Sequence, residues 1–195
     1  MGACWKLELT VVSRVGPARV SPAGQYKIIL GILAMDALTL PLDYQAIERI
    51  LPHRYPFLLV DRITEFDVDK RIVGVKNVSL NERHLTVDGD GRAVLPPTIL
   101  TEAVAQVGAI LILAKPENRE KLIFFMGIER VRYRCPVYPG DQVVIEAKVQ
   151  RLRSRMGVLK GVATVEGKVV VEGTMTFALG PASGAAAPAA APSVQ

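Results

Sequence analysis

The chain has 195 residues, half of them hydrophobic, with 24 Lys and Arg against 19 Asp and Glu, a formal net charge of +5 and a pI near 9.4. That length suits one domain with a sizeable core, and no uninterrupted apolar run is long enough to span a membrane. The basic surplus fits an acidic protein partner or plain solubility, because the aromatic residues are not interleaved with basic ones as in a nucleic-acid stacking platform and no nucleic-acid motif is present.

Residues 1–34 carry scattered Gly, Pro, Arg and Ser without periodicity and read as an extension, disordered or translated from too early a start. The apolar run at 27–35, KIILGILAM, is shorter than a membrane span and no small-residue cleavage site follows it, so the expected compartment is the cytoplasm. Two cysteines, Cys4 and Cys135, make no disulfide framework, which fits a reducing compartment. From Met35 the pattern changes, and the folded domain is expected over 35–180.

A short helix is predicted over 43–51: Asp43 caps it, Ile47, Ile50 and Leu51 share a face, and Pro52 stops it. Strands are predicted over 57–64 and 72–78, then a loop over 79–95. The long helix over 97–114 has Pro97 in its first turn, ends at Lys115-Pro116, and is apolar on nearly all sides, so it is expected to be buried all round. Only strands follow, over 122–128, 130–136, 142–152, 157–165 and 169–178, with turn chemistry at Pro139-Gly140-Asp141, 154–157 and Glu166-Gly167-Lys168. Arg130, Arg132 and Arg134 alternate with Val131, Tyr133 and Cys135, which predicts one charged and one buried face and makes Cys135 a small core residue. The sum is α+β, a single antiparallel sheet wrapped around one central apolar helix in the hot-dog manner. Residues 181–195, mostly Ala, Pro and Ser, are expected to be a disordered tail.

The most informative stretch is 81–106, NERHLTVDGDGRAVLPPTILTEAVAQ. It sets one carboxylate, Glu102, on the apolar helix, where a charge is unfavourable unless it is paired or used. Thr98, Glu102 and Gln106 form an i, i+4, i+8 stripe, so mutual hydrogen bonding inside the core is one reading and chemistry on a substrate is the other.

ILPHRYPFLLVDRI at 50–63 and PVYPGDQVVIEAKVQRLRSRMGVLKGVATVEGKVVVEG at 136–173 resemble the β-hydroxyacyl-acyl-carrier-protein dehydratase family of type II fatty-acid synthesis, and the resemblance runs over roughly residues 44–179. It implies the hot-dog fold, dehydration of a 3-hydroxyacyl thioester to the trans-2-enoyl form, an acyl carrier protein or CoA as carrier, no cofactor, and a homodimer or higher oligomer. In that family the site lies at a dimer interface. A G-H-F-P-G loop supplies a histidine that takes the α-proton. A helix opening M-P-G carries the acid that helps the hydroxyl leave, and N–H groups at its start hold the thioester oxygen.

The family's acid stands fourteen residues after its histidine, and fourteen residues before Glu102 this chain has Asp88. Val87 stands for the glycine before the histidine and Asp90 for the proline after it; only Gly91 of that loop is kept. The helix opens Leu95-Pro96-Pro97, and Pro97 has no N–H to offer, while Glu102, Ala103, Ala105 and Gln106 match the family helix. The resemblance therefore makes Glu102 and Asp88 the catalytic candidates and Gly91, Thr98, Gln106 and Phe57 the substrate-binding ones.

An Asp of ordinary pKa, about 4, is a poor base for a carbon acid, although two close carboxylates sharing a proton would raise one of the two. VDGDG also reads as a plain turn, and it lacks the spacing of a calcium loop; no metal is expected. His84 reads as an exposed loop residue unless a refolded loop delivers it, and His53 as a packed, hydrogen-bonded structural histidine. Phe57 and residues 58–60 read as tunnel or core. Arg130, Arg132, Arg134, Arg151, Arg153 and Arg155 read as a solvated sheet face, some of them available to an acidic carrier. Two other functions stand beside the dehydratase: a hot-dog thioesterase in which Asp88 or Glu102 activates water or attacks the thioester, and a non-catalytic subunit that pairs with an intact homologue in a mixed dimer.

Overall fold

The computed structural model describes residues 39–153 and 155–181. The expectations for residues 1–34 and, Pro181 apart, for 181–195 lie outside them. Helix α1, Tyr44–Ile50, begins where sequence placed it: the Asp43 carboxylate accepts the Ala46 N–H at 2.8 Å, and Ile47 is its buried anchor. The predicted strand over 57–64 starts late, as β1, Arg62–Asp67. Phe57 and Leu58 both donate their N–H to Arg54 O, forming a turn, and the Leu59 N–H goes to the Gln106 side chain, so the donors a ladder would need are already committed.

Strand β2, Arg71–Asn77, pairs with β1, and the following loop holds a small hairpin, β3 (Thr86–Val87) with β4 (Ala93–Val94). Helix α2, Pro97–Leu113, runs through the core, and every residue from 100 to 113 except Glu102 is buried. After a short turn at Pro116–Asn118 come β5 (Lys121–Tyr133), β6 (Gln142–Arg153), β7 (Met156–Val165) and β8 (Lys168–Pro181). The main sheet has the order β1-β2-β6-β7-β8-β5, antiparallel throughout, and α2 packs against five of its strands. This is the α+β hot-dog arrangement expected from sequence. Two glycines let helix and sheet approach: a Cβ on Gly161 would overlap the Val104 side chain, and one on Gly108 would lie 2.7 Å from Leu159 Cδ1.

Two predicted strands, 122–128 and 130–136, are one strand, β5, with register irregularities between Phe125 and Gly127 and between Glu129 and Arg132. Arg130 sits at φ 53° within the second irregularity. The expected alternation of a charged and a buried face therefore fails: Val131 is half-buried and Tyr133 and Cys135 are exposed. Cys135 is not the core residue the sequence predicts, because the bulge displaces the register and β5 is an edge with no neighbour on its far side among the described residues. Among the described residues no helix is long and apolar enough to cross a membrane.

Candidate active site

The loop after α1 and the middle of α2 meet at one side-chain amide. Gln106 is 1% exposed; its Oε1 accepts the Leu59 N–H at 2.9 Å, and its Nε2 donates to Phe57 O at 2.8 Å and to Glu102 Oε1 at 3.0 Å. One buried amide thus fixes the loop to the helix and aims the carboxylate one turn away. Arg54 holds the other end of the loop, donating to Leu51 O at 2.8 Å and to His53 O at 2.7 Å.

Between these two anchors His53 turns toward α2. Its Nε2 lies 3.7 Å from Glu102 Oε1, and both side chains are about three-tenths exposed. His53, Phe57, Glu102 and Gln106 line a cavity of about 220 Å³ whose far wall is Ala109, Leu113, Ile123 and Phe125. The cavity thus combines a mainly apolar lining with one carboxylate, one imidazole and one amide.

The structure departs from the sequence reading at His53. The imidazole packs against Phe57, with ring centroids 6.0 Å apart, but among the described residues it is not hydrogen-bonded: Nδ1 is buried without a partner, and Nε2 lies 3.7 Å from the Glu102 carboxylate, beyond hydrogen-bond reach. His84 also meets Phe57, edge-on at 5.9 Å, and its Nε2 is buried without a hydrogen-bond partner among the described residues. Its loop is held by a second feature invisible in the sequence, a Lys76–Glu82 ion pair at 2.7 Å with side chains only 6% and 14% exposed.

Asp88 stands at the end of the β3–β4 hairpin. Its Oδ1 accepts the N–H groups of Asp90 and Arg92 at 3.0 and 2.9 Å, and its Oδ2 accepts the Tyr138 hydroxyl at 3.0 Å. The Arg92 guanidinium lies 3.5 Å from Oδ2 and covers the Tyr138 ring. The N–H of Arg92 is the main cause that holds the Asp88 carboxyl below its usual range; burial opposes it, and Tyr138, the Asp90 N–H and the Arg92 charge add to it. A carboxylate so held is a worse base than an ordinary Asp. Within the protomer no hydrogen bond or ion pair joins Asp88 to Glu102 among the described residues, and Asp88 moves opposite to the upward shift that proton sharing would give. Gly91 completes the turn at φ 80°, donating to Asp88 O at 3.1 Å.

At the start of α2, Ile99 and Leu100 donate their N–H back to Pro96 O at 3.0 and 3.2 Å, and Pro97 has none. The Thr98 N–H is the free donor of that first turn, and the Thr98 side chain is exposed. Phe57, 39% exposed, lines the cavity and contacts both histidine rings. Among the described residues no group of three or more His, Cys, Asp or Glu could hold a metal ion.

Residues 51–174 match the FabA-like domain family. The FabZ 3-hydroxyacyl-[acyl-carrier-protein] dehydratase of Bacillus subtilis is 51% identical over 139 residues, covering 71% of this chain and 99% of the relative. That of Anoxybacillus flavithermus is 50% identical over 139 residues, with 71% and 98% covered. Among solved structures, the dehydratase heterocomplex ApeI:P from Xenorhabdus doucetiae superposes with a TM-score of 0.59 at 21% identity, covering 68% of this chain and 89% of that one. A mutant thioesterase from Pseudomonas aeruginosa gives 0.55 at 15%, with 72% and 95% covered. These two likenesses are of fold.

Replacing Gln106 by Leu leaves the Leu59 N–H and Phe57 O without their partner, so urea denaturation should show a loss of about 1–3 kcal/mol; an unchanged midpoint would mean the amide does not clamp the loop. Asp88 makes a pH-dependent contribution of definite sign. Because its folded pKa is lowered, the stability it adds is present above the unfolded value and disappears as pH falls through the folded one. Thermal unfolding of the protein and of Asp88→Asn should differ by a constant amount near neutrality, and the gap should close below about pH 4. A gap independent of pH down to full acid unfolding would contradict an ionised Asp88.

Proposed function

The chain belongs to the FabA-like family, and from that premise we propose that it removes water from the 3-hydroxyacyl chain of an acyl-carrier thioester, leaving the trans-2-enoyl thioester, in cytoplasmic fatty-acid synthesis. The observation that carries this reading is the placing of Glu102. It is the one residue between 100 and 113 that is not buried, its Oε1 is oriented by Gln106, and it opens on a cavity with an apolar floor. An acyl tail entering toward Leu113 and Ile123 leaves its oxygenated carbons beside that carboxyl, which protonates the departing C3 hydroxyl. The Thr98 N–H at the start of α2 is the donor left to the thioester oxygen. With Pro97 in place of a second donor, turnover is expected on the order of a hundredfold below that of a site with both.

The same reading makes the protein a homodimer. On edge strand β5, Phe124, Met126 and Ile128 project from one face and are 50%, 64% and 52% exposed. Unpaired backbone groups beside an apolar row are a seam for a second copy. Sedimentation should give a dimer for the protein and a monomer for Met126→Glu; a monomeric wild type would refute the seam.

The deciding assay incubates the protein with a 3-hydroxyacyl carrier protein and follows the acyl group by mass spectrometry. Loss of one water is expected, and Glu102→Gln should slow it by about a hundredfold or more. Hydrolysis to the free acid would instead make the protein a thioesterase, and an acyl group left intact would make it a binding subunit; either overturns the dehydratase reading.

A further inference from the structure

We propose that His53 is the catalytic base of this chain and works as a pair with Glu102, taking the place in the reaction that Asp88 cannot fill; the inference rests on the dehydratase reading above. Elimination from a 3-hydroxyacyl thioester needs two groups, one to remove the C2 proton and one to protonate the C3 hydroxyl. Asp88 is unsuited to the first task, because two backbone N–H groups, the Tyr138 hydroxyl and a neighbouring guanidinium already occupy its carboxylate in a hairpin turn. Of the chain's two histidines, His53 alone stands beside the carboxyl: its Nε2 is 3.7 Å from Glu102 Oε1, and both line the same cavity. His84 touches Phe57 but does not line that cavity.

Three features separate this imidazole from a packing residue. A histidine kept for structure normally has its ring nitrogens partnered, and here, among the described residues, Nδ1 has no partner and Nε2 makes no hydrogen bond. The backbone that carries it is fixed on both sides, by Arg54 on the His53 and Leu51 carbonyls and by Gln106 on Phe57 and Leu59. The same Gln106 orients Glu102, so base and acid are positioned by one amide.

The step balances within the pair. The Nε2 lone pair takes the C2 proton, the C2=C3 double bond forms, and the C3–O bond breaks as the Glu102 carboxyl gives its proton to the departing oxygen. Water leaves, the imidazolium returns a proton to the Glu102 carboxylate across the gap, and both groups regain their starting states. No oxidant, metal or further reactant enters.

The test measures dehydration of a 3-hydroxyacyl carrier protein by the full chain and by His53→Ala, His53→Gln, Glu102→Gln and the His53→Gln, Glu102→Gln double variant, with thermal unfolding of each. The expected result is a fall in kcat of about a hundredfold to ten-thousandfold for each His53 variant with little change in KM. The double variant should be no slower than the worse single one, as for groups acting as a unit. Added imidazole should restore part of the rate to His53→Ala and none to Glu102→Gln, a rescue that a purely structural histidine would not give. His53 variants that fold and keep wild-type turnover would overturn the inference and leave the dehydratase reading standing. A wild-type protein without dehydration would overturn the dehydratase reading itself, and this inference with it. Should His53→Ala unfold, His53→Gln carries the same decision.

Discussion

Everything at the site depends on one buried amide in an apolar helix. Gln106 is enclosed, yet three of its four hydrogen-bonding positions are satisfied, two by backbone of the 57–59 segment and one by Glu102. An amide buried without partners would destabilise the core by roughly 1–3 kcal/mol. With these partners it becomes the fixed point that decides where the loop stops being a strand and begins to carry side chains into a cavity. Because the amide reaches both the loop and the helix, the distance between His53 and Glu102 is set by the core and not by a flexible surface segment.

The apolar character of α2 is what gives its single carboxylate chemical weight. Every residue from Leu100 to Leu113 except Glu102 is buried, with glycines on β7 and on the helix itself allowing close contact between the two layers. In such surroundings the field of a charge is weakly screened, so a small number of polar atoms dominates the electrostatics of the cavity. Glu102 has two such neighbours, an amide donor and an imidazole.

The β3–β4 hairpin is organised differently. Asp88 has become the acceptor that closes its own turn, and Arg92 and Tyr138 complete a network that keeps it ionised. Tyr138 responds in the opposite sense, its hydroxyl raised by burial and then by the bond to Asp88. The bond between them contributes to both shifts, behind the Arg92 N–H for the carboxyl and behind burial for the hydroxyl. The polar groups of this loop are satisfied within the protomer.

The sequence alone determined the architecture, because periodicity and turn chemistry are local. The apolar run of α2, the Asp43 cap, the proline stops and the regular strands after Lys121 all follow from neighbours a few residues apart, and each formed close to where it was expected. Sequence also singled out Glu102 and Gln106, since a polar stripe on an apolar helix is visible in the spacing. It did not show that β5 bulges at Arg130 and exposes Cys135, because a bulge on an edge strand is settled by pairing with β8. Nor did it show that residues 57–61 lie outside the ladder, since Leu59 gives its N–H to a side chain 47 residues away. Only the tertiary structure joined His53 to Glu102. Forty-nine positions separate them in the chain, and their 3.7 Å separation exists because a loop and a helix share one amide.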